Sequence, residues 1–222
     1  MNIDDVDSEI NVPENIIAEI FTYQTELMNK YHVIEKKNGI PIPEAPWHID
    51  NHLVQYRIKD FLWRTTEEVC EALEVAEYVR SDWKSNWDTD ANIRHFFEEI
   101  SDSLHFLVEA SIYAGLDNSK IEKSFNDVFN NATLENIFTK SLLFEASMDF
   151  ILFLGLAANT LKNKPWKVTS MSTDIGSFHK YLYLAWAMFF HIWADLLCTK
   201  EDVYILYYKK NKINQWRQKT QY

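Results

Sequence analysis

Glycine and proline are scarce in this chain, and that scarcity limits its possible folds more than any other feature. Only four glycines and five prolines occur among 222 residues, and three of the prolines fall within the single stretch KKNGIPIPEAPW. Tight β-turns and glycine-rich phosphate loops depend on these two residue types. We therefore expect an all-α protein, and the 47% hydrophobic content is enough for one large core.

Apolar residues recur at helical spacing along most of the chain, which predicts an antiparallel helical bundle core. The predicted helices cover 14–33, 53–80, 92–115, 120–129, 134–161 and 177–198, followed by a last helix that opens at 199. Because only the short polar stretch SDWKSNWDTDAN separates the second and third helices, these two should pack side by side in opposite directions. The whole chain, 1–222, is expected to be a single domain.

Acidic residues outnumber basic ones by 33 to 22, which gives a formal net charge of −11. Such a chain should not bind nucleic acid, because the phosphate backbone would repel it. Cys70 and Cys198 lie in apolar segments without metal-type pairing, which predicts two buried thiols in a reducing, cytoplasmic compartment. The acidic N-terminus, MNIDDVDSEI, does not have the composition of a signal peptide.

Two apolar runs, SMDFILFLGLAANTL and YLYLAWAMFFHIWADLL, approach the length of a membrane span. Both runs are interrupted by Asp, Asn or His, and neither has the basic flanks of an anchored span. We therefore expect them to be buried helices of a soluble protein that has no membrane partner.

Acidic residues three positions apart occur on both helices of the expected pair. Glu68 and Glu71 share one side of the first helix, and Glu99 and Asp102 share one side of the second. Converging carboxylates repel one another unless a cation lies between them, and oxygen ligands favour Mg²⁺, with Mn²⁺ as a substitute. Such an ion is a common device for binding a phosphate chain and activating water against it. The alternative is an acidic face exposed to solvent.

A triphosphate bound at such a site also needs positive charge. Lys84 follows the first acidic helix, and the C-terminal stretch YYKKNKINQWRQKTQY contains Lys210 and Arg217. Asn211 and Gln218 in the same stretch can read a base edge or bind phosphate oxygens. The alternative is a basic tail that only adds solubility or binds a partner.

Together, these motifs resemble the all-α NTP pyrophosphatases. The two acidic motifs have the arrangement of that superfamily, and NIRHFFEEISDSLHF is similar to a block of the dimeric dUTPases and the phage dCTP pyrophosphatases. The closing stretch 210–222, the pair Trp83 and Lys84 in DWKSNW, and Gln24 in YQTEL resemble further elements of the same family. The resemblance spans the chain in five ordered pieces.

The resemblance implies a role for each matching residue. The implied metal ligands are Glu68, Glu71, Glu99 and Asp102. It also implies that Glu68 orients the attacking water, so that Glu68, Glu71 and Lys84 form the catalytic set. The residues implied to bind the substrate are Gln24, Trp83 and Asn211 around the pyrimidine, His105 near the sugar hydroxyl, Phe106 against the sugar ring, Lys84, Lys210 and Arg217 at the phosphates, and Gln218.

The implied activity is Mg²⁺-dependent hydrolysis of a deoxypyrimidine nucleoside triphosphate to the monophosphate and pyrophosphate, with dUTP ahead of dCTP and the diphosphates as further candidates. The resemblance also implies a homodimer in the cytoplasm, or in the host cytoplasm if a phage encodes the protein. The segment 134–177 is similar to the extra, mobile helical part of the larger dimeric dUTPases. Two alternatives stay open: a broader-specificity, MazG-like NTP pyrophosphatase, and a non-catalytic helical interaction protein that keeps the fold.

Overall fold

The computed structural model describes residues 10–131 and 139–220, and within these ranges the chain forms eight α-helices and no strand. The helices are α1 (Ile16–Lys37), α2 (His52–Glu74), α3 (Trp83–Asn86), α4 (Ala91–Tyr113), α5 (Asn118–Asn131), α6 (Lys140–Thr160), α7 (Ile175–Asp195) and α8 (Lys200–Lys219). The prediction of an all-α helical bundle is confirmed.

Helices α2 and α4 pack along each other at the centre of the bundle. Phe61 of α2 stacks on Phe106 of α4. Later on α2, Glu68 meets Glu99, which lies earlier on α4. The two helices therefore run in opposite directions, as their short connection predicts.

Capping side chains fix where the two central helices begin. Asn51 accepts backbone N–H groups from the first turn of α2, and Asp90 does the same for α4. Helix α2 ends at Glu74 rather than near 80, because a short 3₁₀ turn at Ala76–Tyr78 redirects the chain.

The remaining helices pack around this pair. Helix α1 contacts α4, α5 and α8, while α7 packs against α5 and α6. Trp186 and Trp193 of α7 are fully buried, as are Phe96 and Phe97 of α4. Burying each large apolar side chain stabilises the fold by roughly 1.5–3 kcal/mol. The core therefore holds α1, α2, α4 and α8 in fixed positions around the space that they share.

The polar C-terminal stretch forms a helix that contributes to the core. Helix α8 starts at a capping box between Thr199 and Asp202 and continues to Lys219. Lys210 and Asn211 are only 4% and 1% exposed, because ion pairs and hydrogen bonds satisfy their polar atoms. The final residues 221–222 lie outside the described part of the chain.

The two cysteines lie in different environments. Cys198 is buried, as predicted, whereas Cys70 is exposed. Cys70 lies on the outer side of α2, and its neighbour Val69 points into the core. The prediction of a buried thiol is therefore wrong for Cys70.

Helix α6 is long and apolar enough to cross a membrane, with 33% of its most apolar window buried inside the protein. It packs against α7 and α2. Its outer face exposes Phe144 and Leu152 together with Glu145 and Asp149. Residues 134–138 of the predicted insert lie outside the described residues, and the mobility of 134–177 stays a prediction.

Candidate active site

Three carboxylates meet where α2 and α4 face each other. Glu68 and Glu71 lie one turn apart on α2, and Glu99 lies opposite them on α4. One carboxylate oxygen from each residue lies within 4.8 Å of the other two. The spacing of three residues puts both α2 side chains on the same side of their helix. We refer to these three residues as the acidic cluster.

Glu68 holds its proton more tightly than an isolated carboxyl group, because it is buried and lies near other negative charges. Burial is the main reason that the pKa of its carboxyl rises from 4.5 to about 8. A hydrogen bond shared with Glu99 and the charges of Asp102, Glu99 and Glu71 raise this pKa further. In the metal-free protein at neutral pH, Glu68 therefore keeps a proton that a bound cation would displace.

Asp102, the fourth predicted ligand, lies beside the acidic cluster and faces Lys210. The Nζ atom of Lys210 lies 2.8 Å from Oδ2 of Asp102 and 3.9 Å from Oε2 of Glu98. The lysine side chain is only 5% exposed, so removing one partner of this pair would leave an uncompensated charge in a shielded position. Helix α8 thus brings one positive charge to the edge of the acidic cluster.

A cavity of about 540 Å³ adjoins the acidic cluster and extends between α1, α2, α4 and α8. Its lining combines charged, polar and aromatic side chains, which is typical of a small-molecule site. The lining includes Gln24, Arg57, Arg64, Glu68, Asp102, His105, Phe106, Glu109 and Arg217.

His105 lies in the wall of this cavity and is neutral. Burial lowers the pKa of its imidazole from 6.5 to about 4, although the charge of Asp102 acts in the opposite direction. Nδ1 lies 2.8 Å from the carbonyl oxygen of Ser101, so this nitrogen must carry the proton and donate. The ring stacks on Tyr207, with 4.3 Å between centroids. Nε2 is left as a buried acceptor with no partner among the described residues.

A chain of hydrogen bonds lies at the end of the cavity away from the acidic cluster. The Tyr207 hydroxyl receives a long bond of 3.5 Å from Asn211 Nδ2 and donates to Gln24 Oε1 at 2.8 Å. Gln24 Nε2 then donates to Glu109 Oε1 at 2.7 Å. Burial raises the pKa of Glu109 to about 7, although the bond from Gln24 and the charge of Arg57 lower it. Glu109 is therefore partly ionised at neutral pH.

Arg57 lies further along the same wall. Its Nη2 donates to Oε2 of Glu35 at 2.7 Å, and its guanidinium carbon lies 5.2 Å from the centroid of Phe61. Its Nε–H is buried and has no acceptor within the part of the chain that the structure describes. A buried donor without an acceptor is costly, so an acceptor on a ligand is expected to gain from it.

Four of the predicted substrate-binding residues line the cavity: Gln24, His105, Phe106 and Arg217. Lys210 and Asn211 lie behind the wall, where they contact Asp102 and Tyr207. Both amide atoms of the Gln218 side chain are buried without a partner among the described residues.

Trp83 and Lys84 do not line the cavity. Trp83 is 5% exposed, lies 4.1 Å from Phe97 between ring centroids, and donates its indole N–H to the carbonyl of Leu196 at 2.8 Å. Lys84 forms an ion pair with Asp202 at the start of α8. These contacts fix α3 against the ends of α7 and α8. The structure therefore differs from the predicted placement of Trp83 at a pyrimidine and of Lys84 at the phosphates.

Sequence reasoning missed five charged residues of the cavity lining, which are Glu35, Arg57, Asp60, Arg64 and Glu109. Arg64 lies four residues before Glu68 on α2, and Glu109 lies four residues after His105 on α4. Residues four apart share one side of a helix. Extending the rows of the two acidic motifs by one turn would therefore have found Arg64 and Glu109.

The donor atoms of the acidic cluster fit a hard divalent cation. Glu68, Glu71 and Glu99 offer only carboxylate oxygens, which favour Mg²⁺ or Mn²⁺ over Zn²⁺. A positive charge between them would also relieve the repulsion that raises the pKa of Glu68. The cavity beside the cluster can hold an organic ligand, and Arg64 and Arg217 in its lining suit an anionic one.

The chain matches the model of a known protein family. A family model described as dUTPase matches residues 16–222. The matched range includes both acidic motifs, the whole cavity lining and the C-terminal stretch. No curated protein and no solved structure was found to match the chain.

Proposed function

Because the chain belongs to the dUTPase family, we propose that it is a Mg²⁺-dependent enzyme that hydrolyses dUTP to dUMP and pyrophosphate. Family membership supports a hydrolase that acts on nucleoside triphosphates. The observation that carries the finer proposal is the acidic cluster beside a cavity of nucleotide size. Glu68 belongs to the cluster and also lines the cavity, so the two features form one site.

The order of side chains along α4 supports a defined orientation of the substrate. Asp102, His105 and Glu109 all line the cavity, and they follow one another at spacings of three and four residues. A helix rises about 1.5 Å per residue, so Glu109 lies roughly 10 Å along the axis from Asp102. If the phosphates bind at the acidic cluster, the sugar would therefore lie at His105 and the base near Glu109.

Each contact in this orientation has a chemical reason. The free Nε2 of His105 can accept a hydrogen bond from the 3′-hydroxyl of the sugar. Phe106 also lines the cavity, and a ring packed against the sugar would leave little room for a 2′-hydroxyl. Arg64 and Arg217 can make charge-assisted hydrogen bonds to phosphate oxygens, which is the role that the sequence suggested for Lys84.

Glu68, Glu71 and Glu99 would hold the metal, with Asp102 as a fourth candidate ligand. Magnesium bound there would supply positive charge to the phosphate oxygens and help to activate water. Glu68, deprotonated in that state, can orient the attacking water and accept its proton. The water oxygen bonds to one of the two phosphorus atoms that share the first bridging oxygen. That bridge then breaks, and dUMP and pyrophosphate separate.

We propose further that the protein is a cytoplasmic homodimer. The exposed side chains of Phe144 and Leu152 on α6, with Trp63 on α2, form an apolar surface that a second copy would cover. Glu145 and Asp149 lie on the same face of α6, and burying them in lipid would be costly. Light scattering should give twice the chain mass for the wild type and the monomer mass for Leu152→Glu. A wild-type monomer would contradict the proposal.

The activity is tested by measuring pyrophosphate release from every deoxy- and ribonucleoside triphosphate, with Mg²⁺ or with EDTA. Phosphate release from dUDP is measured alongside. We expect dUTP to be the best substrate, with no turnover in EDTA. Glu71→Gln should abolish activity while Glu26→Gln, an exposed carboxylate change on α1, should not. Comparable rates on many nucleotides would favour the broader pyrophosphatase, and no release from any nucleotide would favour the non-catalytic alternative.

A further inference from the structure

Glu109 is a buried carboxylate that has no part in the acidic cluster. It is 8% exposed and lines the cavity at the end where the base is expected. Its Oε1 accepts the bond from Gln24 Nε2, while its Oε2 receives no hydrogen bond from any described residue. A carboxylate oxygen in such a position is expected to meet a donor on the ligand.

The group that contacts Glu109 in the wall, the amide of Gln24, is a hydrogen-bond donor. Because the Tyr207 hydroxyl donates to Oε1 of Gln24, the amide of Gln24 turns its NH₂ group towards Glu109, and the second hydrogen of that group is not committed. The wall therefore presents a donor on Gln24 beside an acceptor on Glu109.

We propose that Glu109, beside the N–H donor of Gln24, binds N3–H of a uracil ring and makes the site select uracil over cytosine. This inference rests on the proposed function. Uracil presents acceptor, donor and acceptor at O4, N3 and O2, an edge that it shares with thymine. N3–H can therefore donate to Glu109 while a neighbouring carbonyl oxygen of the ring accepts from Gln24.

Cytosine does not complement the wall in either orientation. Its edge carries an amino donor followed by two acceptors, N3 and O2, so its central atom is an acceptor. That atom would face the ionised carboxylate of Glu109, and both buried groups would lack a partner. Sites built around such hydrogen bonds reject a mismatched ligand strongly, because the buried polar groups stay unpaired.

The test compares kcat/KM for dUTP and dCTP in the wild type and in Glu109→Gln at about pH 8.5, above the pKa of Glu109 of about 7. Gln24 should still donate to the oxygen of the new amide, which turns its NH₂ group into the cavity in place of Oε2. The group at position 109 that faces N3 of the base therefore changes from a hydrogen-bond acceptor to a donor. We expect kcat/KM for dUTP to fall about a hundredfold and the preference for uracil to be lost.

The exposed Glu26→Gln on α1 is the matched control, and it should keep the wild-type preference. A wild type that uses dCTP as well as dUTP, or a Glu109→Gln variant that keeps the uracil preference, overturns the inference. If circular dichroism shows that Glu109→Gln is unfolded, the wild type is tested with 3-methyl-dUTP, which lacks N3–H. That nucleotide should be at least about a hundredfold poorer than dUTP, and equal use overturns the inference.

Binding of non-hydrolysable imido analogues separates this inference from the proposed function. If the wild type releases no pyrophosphate but binds imido-dUTP more tightly than imido-dCTP, and Glu109→Gln removes that difference, the base site stands and the proposed activity falls. If the enzyme hydrolyses nucleotides and Glu109→Gln does not change its substrate preference, the proposed activity is supported and the proposed base site is contradicted.

Discussion

Replacing Glu68 by Gln should stabilise the metal-free protein at alkaline pH. In the folded protein the pKa of Glu68 rises from 4.5 to about 8, mainly because the carboxyl is buried. A hydrogen bond with Glu99 and the negative charges of the neighbouring acids raise it further. Between these values the folded protein binds a proton that the unfolded chain has lost, so the free energy of unfolding falls as pH rises through this window. Above pH 8 the charged carboxylate is a net cost, which the neutral amide of Gln avoids.

The size of the effect follows from the same change in pKa. Each pH unit corresponds to about 1.4 kcal/mol, so the rise from 4.5 to about 8 sets an upper limit of roughly 5 kcal/mol. Glu68 is only half-buried, and solvent screening reduces this value to about 2 kcal/mol. For a chain of this length, that difference corresponds to about 4–8 °C in Tm.

Thermal unfolding in EDTA, followed by circular dichroism, measures the difference between the wild type and Glu68→Gln from about pH 6 to pH 9. The two Tm values should be close at the acidic end, where Glu68 is protonated, and should separate in favour of the variant as pH rises. Mg²⁺ should then raise the Tm of the wild type more than that of Glu68→Gln, because it binds the folded acidic cluster. A Tm difference that does not change with pH would refute the reasoning, since it would mean that Glu68 is ionised at an ordinary pKa.

Four further substitutions address single steps of the proposed activity, each measured by pyrophosphate release. Glu71→Gln keeps the shape of a ligand but removes its charge, so turnover should fall at least about a thousandfold while circular dichroism stays unchanged. Arg217→Ala should lower kcat/KM for dUTP about a hundredfold, as expected when positioned charge is lost, whereas Lys84→Ala should lower it less than about threefold because it breaks a partly exposed ion pair. Phe106→Ala should improve UTP relative to dUTP by about tenfold, since it opens space beside the sugar.

Each of these predictions would be contradicted by a specific result. Near-normal turnover in Glu71→Gln would end the metal-site interpretation. A loss in Lys84→Ala as large as that in Arg217→Ala would show that the lysine leaves Asp202 and reaches the phosphates, as the family resemblance implies. An unchanged ratio between UTP and dUTP in Phe106→Ala would move sugar selection to another part of the cavity.

The acidic cluster could be predicted from the sequence because helical periodicity is a local property. The spacing between Glu68 and Glu71 fixes their common side whatever surrounds the helix, and the short connection from α2 to α4 brings Glu99 opposite them. Asp102 follows from the same spacing, but its pairing with Lys210 depends on where α8 crosses the bundle. The helix boundaries were less predictable, since the 3₁₀ turn after Glu74 ends α2 early.

Trp83 and Lys84 could not be placed from sequence for a different reason. They lie on a helix of four residues whose direction is set by distant contacts with Leu196 and Asp202. The core position of Lys210 likewise depends on a partner more than a hundred residues away. Glu109 was within reach of sequence reasoning, because a single acid in the apolar run LHFLVEASIYA continues the row of Asp102 and His105 by one turn.

The row of Asp102, His105 and Glu109 also restricts how such a protein can change over evolution or by design. Since all three belong to one rigid helix, inserting or deleting a single residue between them would rotate every later side chain by about 100° and take it out of the cavity. New specificity must therefore arise by substitution in place. A larger base would have to be accommodated by α1 and α2, whose cavity-facing side chains can be shortened without changing the spacing on α4.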